Sequence, residues 1–578
     1  MNAKKSSFLR IILTYRKQII ILSLLSLFSS AFLLISPFIS RLFIDQAFIN
    51  KNLKVFFNLS FLAIILFIFS ALFKAGEETI SKKIALRLKL NLASRFVRKI
   101  YSLDFEFFQA KSVGENAYRL FDIERVVRLI TEEFPNILVD IIKLPIILGI
   151  AVWVNLRMTA LLIILSPLFV LRSIYLQKKL GVIYEEIWQA SVSLSKEIHE
   201  AFSRILIIKA LGLESFQRQV YLRLLVKNIR LSFKNLRWLI VGSLTSSFLS
   251  KAIYGAITLY GGWLIIKGRI SLGSYAAVML YLTQLGSLLD SLSRRFEYSA
   301  EEIVSLKKFF EIMDMHPKIK DLAQARALDT IQCEIEFSNV WFGYQKEKPV
   351  FKGINFIMPA NSWIAVVGPS GCGKTTLISL ILRLYEPWQG KIVLDGSELN
   401  MLKLKSLRQK IAIATQQPLL FDISIRENIT YGLRDVNQQD LADVAGIACV
   451  DDFVSQLPSG YDTVIGEDAC RLSHGMKQRI AIARAVLRKP HLLILDEAVS
   501  SVDSFTEERI FRGLRQKREG LGTIIISHRL SSIKDADRIY FLRGDGEIEE
   551  GPHVRLLTES ALYSEFFHNQ TEKEKIIY

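Results

Sequence analysis

Gly368-Pro369-Ser370-Gly371-Cys372-Gly373-Lys374-Thr375 is the stretch on which the reading of this chain turns. It follows an apolar run, Trp363–Val367, that reads as a buried strand, and it opens a helical pattern that continues through Leu384. Strand, glycine-rich loop and helix in that order are the context a phosphate-binding loop needs. The glycines let backbone N–H groups close around phosphate oxygens. Lys374 is placed to reach the terminal phosphates, and the Thr375 hydroxyl to meet Mg²⁺. Gly368, Ser370, Gly371, Cys372, Gly373, Lys374, Thr375 and Thr376 are therefore the expected nucleotide-binding set.

Two further apolar runs end in groups suited to the same chemistry. Leu492–Leu495 closes on Asp496 and Glu497. A carboxylate at a strand end beside a phosphate loop can hold Mg²⁺ through water, which is the expectation for Asp496. Glu497 is then placed to orient or deprotonate an attacking water. Thr523–Ile526 closes on Ser527 and His528, and a histidine at the same sheet edge can meet a γ-phosphate.

The N-terminal half has a different character. Of the 578 residues, 51% are hydrophobic, a share that points to membrane spans. Apolar stretches near Ile19–Ile39, Phe56–Phe73, Ile137–Val154, Thr159–Leu176, Trp238–Ile266 and Tyr275–Leu292 give six helices of about 20 residues each. The formal charge of +18 fits the Lys and Arg excess of cytoplasmic loops. A nucleic-acid partner is not expected, because the first half is too apolar for a soluble nucleic-acid module. The basic, acid-free start, with Lys4, Lys5, Arg10, Arg16 and Lys17, places the N-terminus inside. The apolar stretch after it is too long for a signal peptide's core, so it reads as a retained span.

Asn155–Met158 and Lys267–Gly273 are short outer connections. Glu77–Pro135 and Gln177–Arg237 are long, charged and helical in pattern, and read as membrane helices running on into the cytosol. Lys143 and Lys251 fall in apolar stretches. Lys251 is a candidate cavity residue, and Lys143 has Asp140 one turn away as a possible partner. The expected domains are 1–315 in the membrane, a linker over 316–332, and a nucleotide-binding domain over 333–578. Cys333, Cys372, Cys449 and Cys470 show no metal-ligand spacing and fit a reducing compartment.

On these residues the chain resembles ATP-binding-cassette transporters, in the half-transporter form with the membrane domain first. Tyr344, in Trp341-Phe342-Gly343-Tyr344, matches the aromatic that stacks on adenine. Gln416, in Thr415-Gln416-Gln417-Pro418, matches the glutamine that contacts Mg²⁺ and senses the membrane domain. Leu472-Ser473-His474-Gly475-Met476 stands where the family has Leu-Ser-Gly-Gly-Gln, followed by Lys477-Gln478-Arg479. Asp496 and Glu497 match the acidic strand-end pair, Ser500-Ser501-Val502-Asp503 the loop after it, and His528 the switch histidine. Phe107-Phe108 with Gly114-Glu115, Arg119-Leu120 and Asp122 resembles a first coupling segment, and Ile208-Lys209-Ala210 with Glu214 a second.

The resemblance implies an α-helical transmembrane bundle of six helices with long cytosolic extensions. An α/β P-loop ATPase domain with a helical subdomain follows it. It also implies a multi-pass plasma- or inner-membrane protein with a cytoplasmic ATPase, and Glu497, His528 and Gln416 as the catalytic residues. Mg²⁺ is expected on Thr375, Gln416 and Asp496. ATP is expected on Tyr344 and the 368–376 loop, with Ser473, Gly475 and Asp503 contributing across a dimer of cassettes. The second half-transporter is either another copy or a different chain. The departures at His474 and Met476 fit a heterodimer whose partner keeps an ordinary signature, and a homodimer would carry them twice.

The implied function is ATP-driven export of a lipid, hydrophobic compound or peptide by alternating access, within a lipid membrane. Import of a metal–chelator complex and a regulatory or channel-type ATPase are the alternatives. No further domain is expected before the first span, so leader-peptide cleavage during export is not expected. Replacing Lys374 by Ala is expected to abolish nucleotide binding or turnover, read as ATP hydrolysis by the membrane-embedded protein.

Overall fold

Apolar residues outnumber what one soluble core can bury in the first half, and there the chain resolves into long helices. The computed structural model describes residues 13–568, apart from 111–112, 155, 329–331, 346, 467–471, 517–519 and 545. The chain divides into two units, with the break between His316 and Pro317.

Among the described residues, every secondary-structure element of the first unit is a helix. Leu53–Tyr101 runs for 49 residues, Leu156–Ser203 for 48, Glu214–Ile266 for 53 and Leu272–Met313 for 42. At about 1.5 Å per residue each far exceeds the roughly 30 Å hydrocarbon layer. The spans therefore continue as helix beyond the membrane. Among the described residues, five helices are long and apolar enough to cross: Arg16–Phe48, Leu53–Tyr101, Gly114–Trp153, Glu214–Ile266 and Leu272–Met313. The other expected stretch, Thr159–Leu176, lies on the helix Leu156–Ser203, with some of its side chains outside the described ones. Leu156–Met158, expected in a turn, already belong to that helix, and Met158 is fully buried.

Helix ends are set by local chemistry. The Asn52 side chain accepts from the Val55 N–H at 3.2 Å, and Ser271 Oγ from the Ser274 N–H at 3.0 Å. Asp45 ties the first hairpin to the last helix: it accepts from Ser271 Oγ at 2.9 Å and from the Gly273 N–H at 3.0 Å. A side chain at Gly273 would collide with that carboxylate. Lys143 pairs with Asp140 at 3.9 Å, and Arg295 and Ser291 also reach Asp140, at 3.4 and 3.1 Å. Lys251 is exposed on its helix. Phe96, fully buried, stacks on Phe309 at 5.5 Å beside Val126 and Ile312. Phe57, Phe61, Phe67 and Leu72 face outward, as lipid-facing positions do.

The second unit is built on two sheets. The strands are β1 (Ile335–Phe342), β2 (Phe351–Met358), β3 (Trp363–Val367), β4 (Gln389–Leu394), β5 (Ser397–Glu398), β6 (Ile411–Ala414), β7 (Leu492–Asp496), β8 (Gly522–Ile526), β9 (Arg538–Leu542) and β10 (Ile548–Gly551). An antiparallel sheet runs β2-β1-β4-β5, and a six-stranded sheet runs β10-β9-β3-β8-β7-β6. In the latter β6, β7, β8, β3 and β9 are mutually parallel. Every residue of β3 and β8 is buried, as strands covered on both faces require. The helices Gln438–Ile447 and His474–Leu487 share a core with that sheet through Leu441, Val444, Ile480 and Ile482.

Two sequence expectations shift here. The helix after the glycine-rich loop spans Lys374–Ile381 and stops short of Leu384. Arg383 takes a left-handed backbone (φ 48°), and its guanidinium is held by Glu386 at 2.8 Å and the Leu402 carbonyl at 3.0 Å. Part of the expected linker is docked on the second unit: Asp321 accepts from the Leu404 N–H at 2.8 Å, and Arg326 pairs with the backbone of Met401 and Lys403 at 2.9 Å. Ile494, fully buried in β7 between β6 and β8, belongs to the core that residues of the two sheets share. Ile494→Ala is expected to cost about 2–5 kcal/mol, measured as a lower unfolding temperature of the nucleotide-binding unit in calorimetry.

Candidate functional site

The carboxyl ends of four neighbouring parallel strands lie along one edge of the sheet, and the candidate residues stand there. β3 ends at the glycine-rich loop, β6 is followed by Gln416, β7 ends at Asp496 with Glu497 next, and β8 is followed by His528. Open parallel sheets bind ligands at this edge.

The loop after β3 is shaped by close approach. A Cβ on Gly368 (φ 150°) would collide with the Leu542 carbonyl and lie 2.9 Å from Cys372 Sγ. One on Gly373 (φ 109°) would lie 2.8 Å from the Phe351 ring. The buried Lys374 ammonium donates to the carbonyls of Gly368 at 2.7 Å and Pro369 at 3.0 Å, and lies 4.0 Å from Cys372 Sγ, so it is folded back onto its own loop. Ser370, Gly371 and Thr375 are exposed. Thr376 is buried, and its hydroxyl lies 3.2 Å from the Tyr344 hydroxyl, so it positions that ring. The Tyr344 ring, half exposed, packs edge-on against Phe342 and Tyr385. Burial pushes the Cys372 thiol up, so it stays protonated.

Glu497 is the centre of the cluster. Its Oε2 accepts from Gln416 Nε2 at 2.5 Å, and its Oε1 lies 2.9 Å from His528 Nε2. Burial and the Lys374 charge lower the His528 pKa, an effect that the opposing pull of Glu497 does not overcome. The imidazole is therefore neutral at pH 7, and its Nε2–H donates to the carboxylate. Glu497 itself has a left-handed backbone (φ 49°), a conformation costly for an L residue. Its N–H is fixed to the Ile526 carbonyl at 2.9 Å. Burial, then the neighbouring Glu497 charge, raise the Asp496 pKa to about 6, against the opposing pull of Lys374.

The remaining expected residues lie on adjoining segments. Ser473 caps the helix His474–Leu487, accepting from the Met476 N–H at 3.2 Å, and its own hydroxyl hydrogen stays available. Asp503 accepts from the Thr506 N–H at 2.9 Å. That bond, more than any other factor, holds its carboxyl below the usual range. Among the described residues, the hydrogen bonds of Ser473 and Asp503 run to these partners and not to the 368–376 loop. Gly475 packs so closely that a Cβ would lie 2.7 Å from the Ser501 carbonyl. His474 is exposed, and Met476 packs on the helical core.

Sequence reading gave no role to two residues of this cluster. Arg529 donates to the carbonyls of Ser500 at 2.6 Å and Val502 at 2.8 Å, and to buried Glu507 at 2.5 Å. Gln478, fully buried, contacts Gln416, Glu497, Ser500 and Ser501. The sequence signal for Arg529 was adjacency to His528, and for Gln478 its place in the Lys477-Gln478-Arg479 run that follows the 472–476 stretch.

A family model described as "ABC transporter" matches residues 351–500, and one described as "ABC transporter transmembrane region" matches residues 19–289. "Uncharacterized ABC transporter ATP-binding protein YfiC" of Bacillus subtilis (strain 168) is 32% identical, over 97% of this chain and 93% of that one. "ATP-dependent lipid A-core flippase" of Syntrophus aciditrophicus (strain SB) is 30% identical, over 92% and 89%. The solved "Structure of a bacterial Atm1-family ABC exporter with ATP bound" superposes with a TM-score of 0.89 at 27% identity, covering 96% of this chain and 98% of that one. Gly475→Ala is expected to cost about 1–3 kcal/mol by overpacking against Ser501. A lower cassette unfolding temperature together with slower ATP hydrolysis is the measurement.

Proposed function

The chain belongs to the ABC transporter family, and from that premise we propose that it exports a lipid or other hydrophobic, amphipathic compound. Its exporter-type membrane domain, cytoplasmic ATPase and dimeric action come with the family and fold. The observation supporting the cargo class is a cavity of about 370 Å³ in the first unit. Ile141, Leu144, Phe169, Leu285 and Leu289 line it, with Ser173, Gln177 and Ser293 as its polar members. Lys251 is not among its lining residues. The name of the lipid A-core flippase relative points to the same class.

For the ATPase we assign Glu497 as general base, taking the proton of the water that attacks the γ-phosphorus. His528, neutral and donating through Nε2, holds one carboxylate oxygen and stands beside the expected γ-phosphate. Gln416 holds the other oxygen. Lys374 and the 368–376 loop bind the phosphates, and Tyr344 stacks on the adenine. Ser473, Gly475 and Asp503 serve the nucleotide of the partner cassette.

Thr375, Gln416 and Asp496 offer a hydroxyl, an amide oxygen and a carboxylate, the all-oxygen donor set that suits Mg²⁺. The Gln416 amide nitrogen is engaged by Glu497, which leaves its oxygen for the metal. Bound there, Mg²⁺ would neutralise charge on the phosphates. The mate is a second half-transporter. Brisk hydrolysis by the isolated chain identifies a homodimer, and slow hydrolysis that rises on adding a different half-transporter identifies a heterodimer.

Inverted membrane vesicles test the whole reading. ATP is expected to drive a fluorescent phospholipid into the wild-type vesicles. Glu497→Gln is expected to bind ATP yet lose turnover by at least about 10²-fold and to move nothing. Turnover at the wild-type rate in Glu497→Gln would remove the general-base assignment, and ATP-dependent accumulation of only polar solutes would remove the cargo class.

A further inference from the structure

We infer that Gln478 is a positioning residue for ATP hydrolysis: one buried side-chain amide sets where Glu497 and Gln416 stand and ties both to the segment Ser500–Val502. The inference rests on the role assigned to Glu497. Gln478 lies on the helix His474–Leu487 and has no exposed surface. Its Nε2 lies 3.3 Å from the Gln416 carbonyl, 3.3 Å from the Glu497 carbonyl and 3.1 Å from Ser500 Oγ. Its Oε1 accepts from the Ser501 N–H at 3.0 Å. Two amide hydrogens are thus shared among three acceptors, and the one oxygen is engaged.

What these bonds hold is the reactive geometry. Gln416 reaches Glu497 through a 2.5 Å hydrogen bond, so a shift of either backbone changes that contact. Glu497 stands in a strained left-handed conformation that needs anchors on both sides of its Cα. Ile526 supplies one at the N–H, and Gln478 supplies the other at the carbonyl. Ser500–Val502 is also held by Arg529, which donates to the carbonyls of Ser500 and Val502. The close packing of Gly475 on Ser501 brings the start of the same helix against this segment. Gln478 is therefore where a shift of that helix reaches the base.

Only an amide satisfies this set. A carboxylate of the same shape would keep the Ser501 bond but set negative charge against two carbonyl oxygens. A leucine would leave all four groups without this partner. The test uses the full chain in lipid nanodiscs, with its partner half-transporter if it has one, and steady-state MgATP hydrolysis. Gln478→Glu is expected to lower kcat about 10²-fold near pH 8. KM for ATP should stay within about threefold, because Tyr344, Lys374 and the glycine-rich loop are untouched.

As pH falls, the introduced carboxyl takes a proton and regains one donor, so the ratio of variant to wild-type kcat is expected to rise. In Gln478→Leu that ratio stays low at every pH. Asp496, Glu497, His528, Lys374 and Arg529 are the charged or titratable groups around the site. All are present in both proteins, and Gln478→Leu, which has nothing to titrate at that position, controls for their own titration. Wild-type kcat in Gln478→Glu would overturn the inference. So would a parallel loss of kcat, ATP affinity and unfolding temperature with a ratio independent of pH, which marks a packing defect alone. If Glu497→Gln itself turns over normally, it is the role of Glu497 that falls. A stalled Glu497→Gln beside an unimpaired Gln478→Glu overturns the Gln478 inference by itself.

Discussion

Parallel pairing of β6, β7, β8 and β3 puts four strand ends side by side, and the ATPase chemistry proposed here depends on that constraint. Neighbouring strands lie about 4.8 Å apart. Residues just past the ends of adjacent strands can therefore exchange side-chain hydrogen bonds. β7 lies between β6 and β8, so Glu497 has Gln416 on one flank and His528 on the other. β3 lies one strand further and delivers Lys374, whose charge acts on both Asp496 and His528. A strand order that separated β7 from β8 would leave the same residues out of reach of one another.

The backbone at this edge is strained where the chemistry is concentrated. Glu497 takes a left-handed conformation immediately after a regular strand, which turns its carboxylate toward both neighbours. Such a conformation persists only when surrounding bonds over-determine it. Here they come from β8 through Ile526 and from the helix His474–Leu487 through Gln478. The departures at 474 and 476 fall on this helix, but they point different ways. His474 is exposed, and Met476 contributes an apolar side chain to the helical core. The second change is thereby accounted for by packing, and the first concerns whatever meets the surface of the cassette.

The membrane unit obeys another constraint. Backbone polar groups in hydrocarbon must be paired within their own helix, so each span is a helix and nothing at the membrane boundary stops it. Two of the helices begin at a side-chain cap, Leu53–Tyr101 at Asn52 and Leu272–Met313 at Ser271. Ionisable groups placed among apolar residues are paired where they are buried: Asp140 meets Lys143, Arg295 and Ser291. The long charged stretches Glu77–Pro135 and Gln177–Arg237 were legible as helix because their apolar residues recur at helical spacing. The start of the helix Leu156–Ser203 was not, since no glycine or proline marks it.

The sequence by itself determined which residues fill the glycine-rich loop and the strand ends, and the order of the two units. Glycine, lysine and strand-end acids leave a one-dimensional signature, because each is demanded by local geometry and not by a distant neighbour. It also determined that the first half belongs in lipid, from the length of its apolar runs. Only the tertiary structure decided that Thr376 positions Tyr344 and that Asp503 caps a helix. It alone brought Gln478 and Arg529 into the site, and showed that Gly475 has no room for a side chain beside Ser501. Each of these facts is a contact between segments distant along the chain or a choice among hydrogen-bond partners. No periodicity or motif records such contacts, since they exist only once the strands and helices have packed.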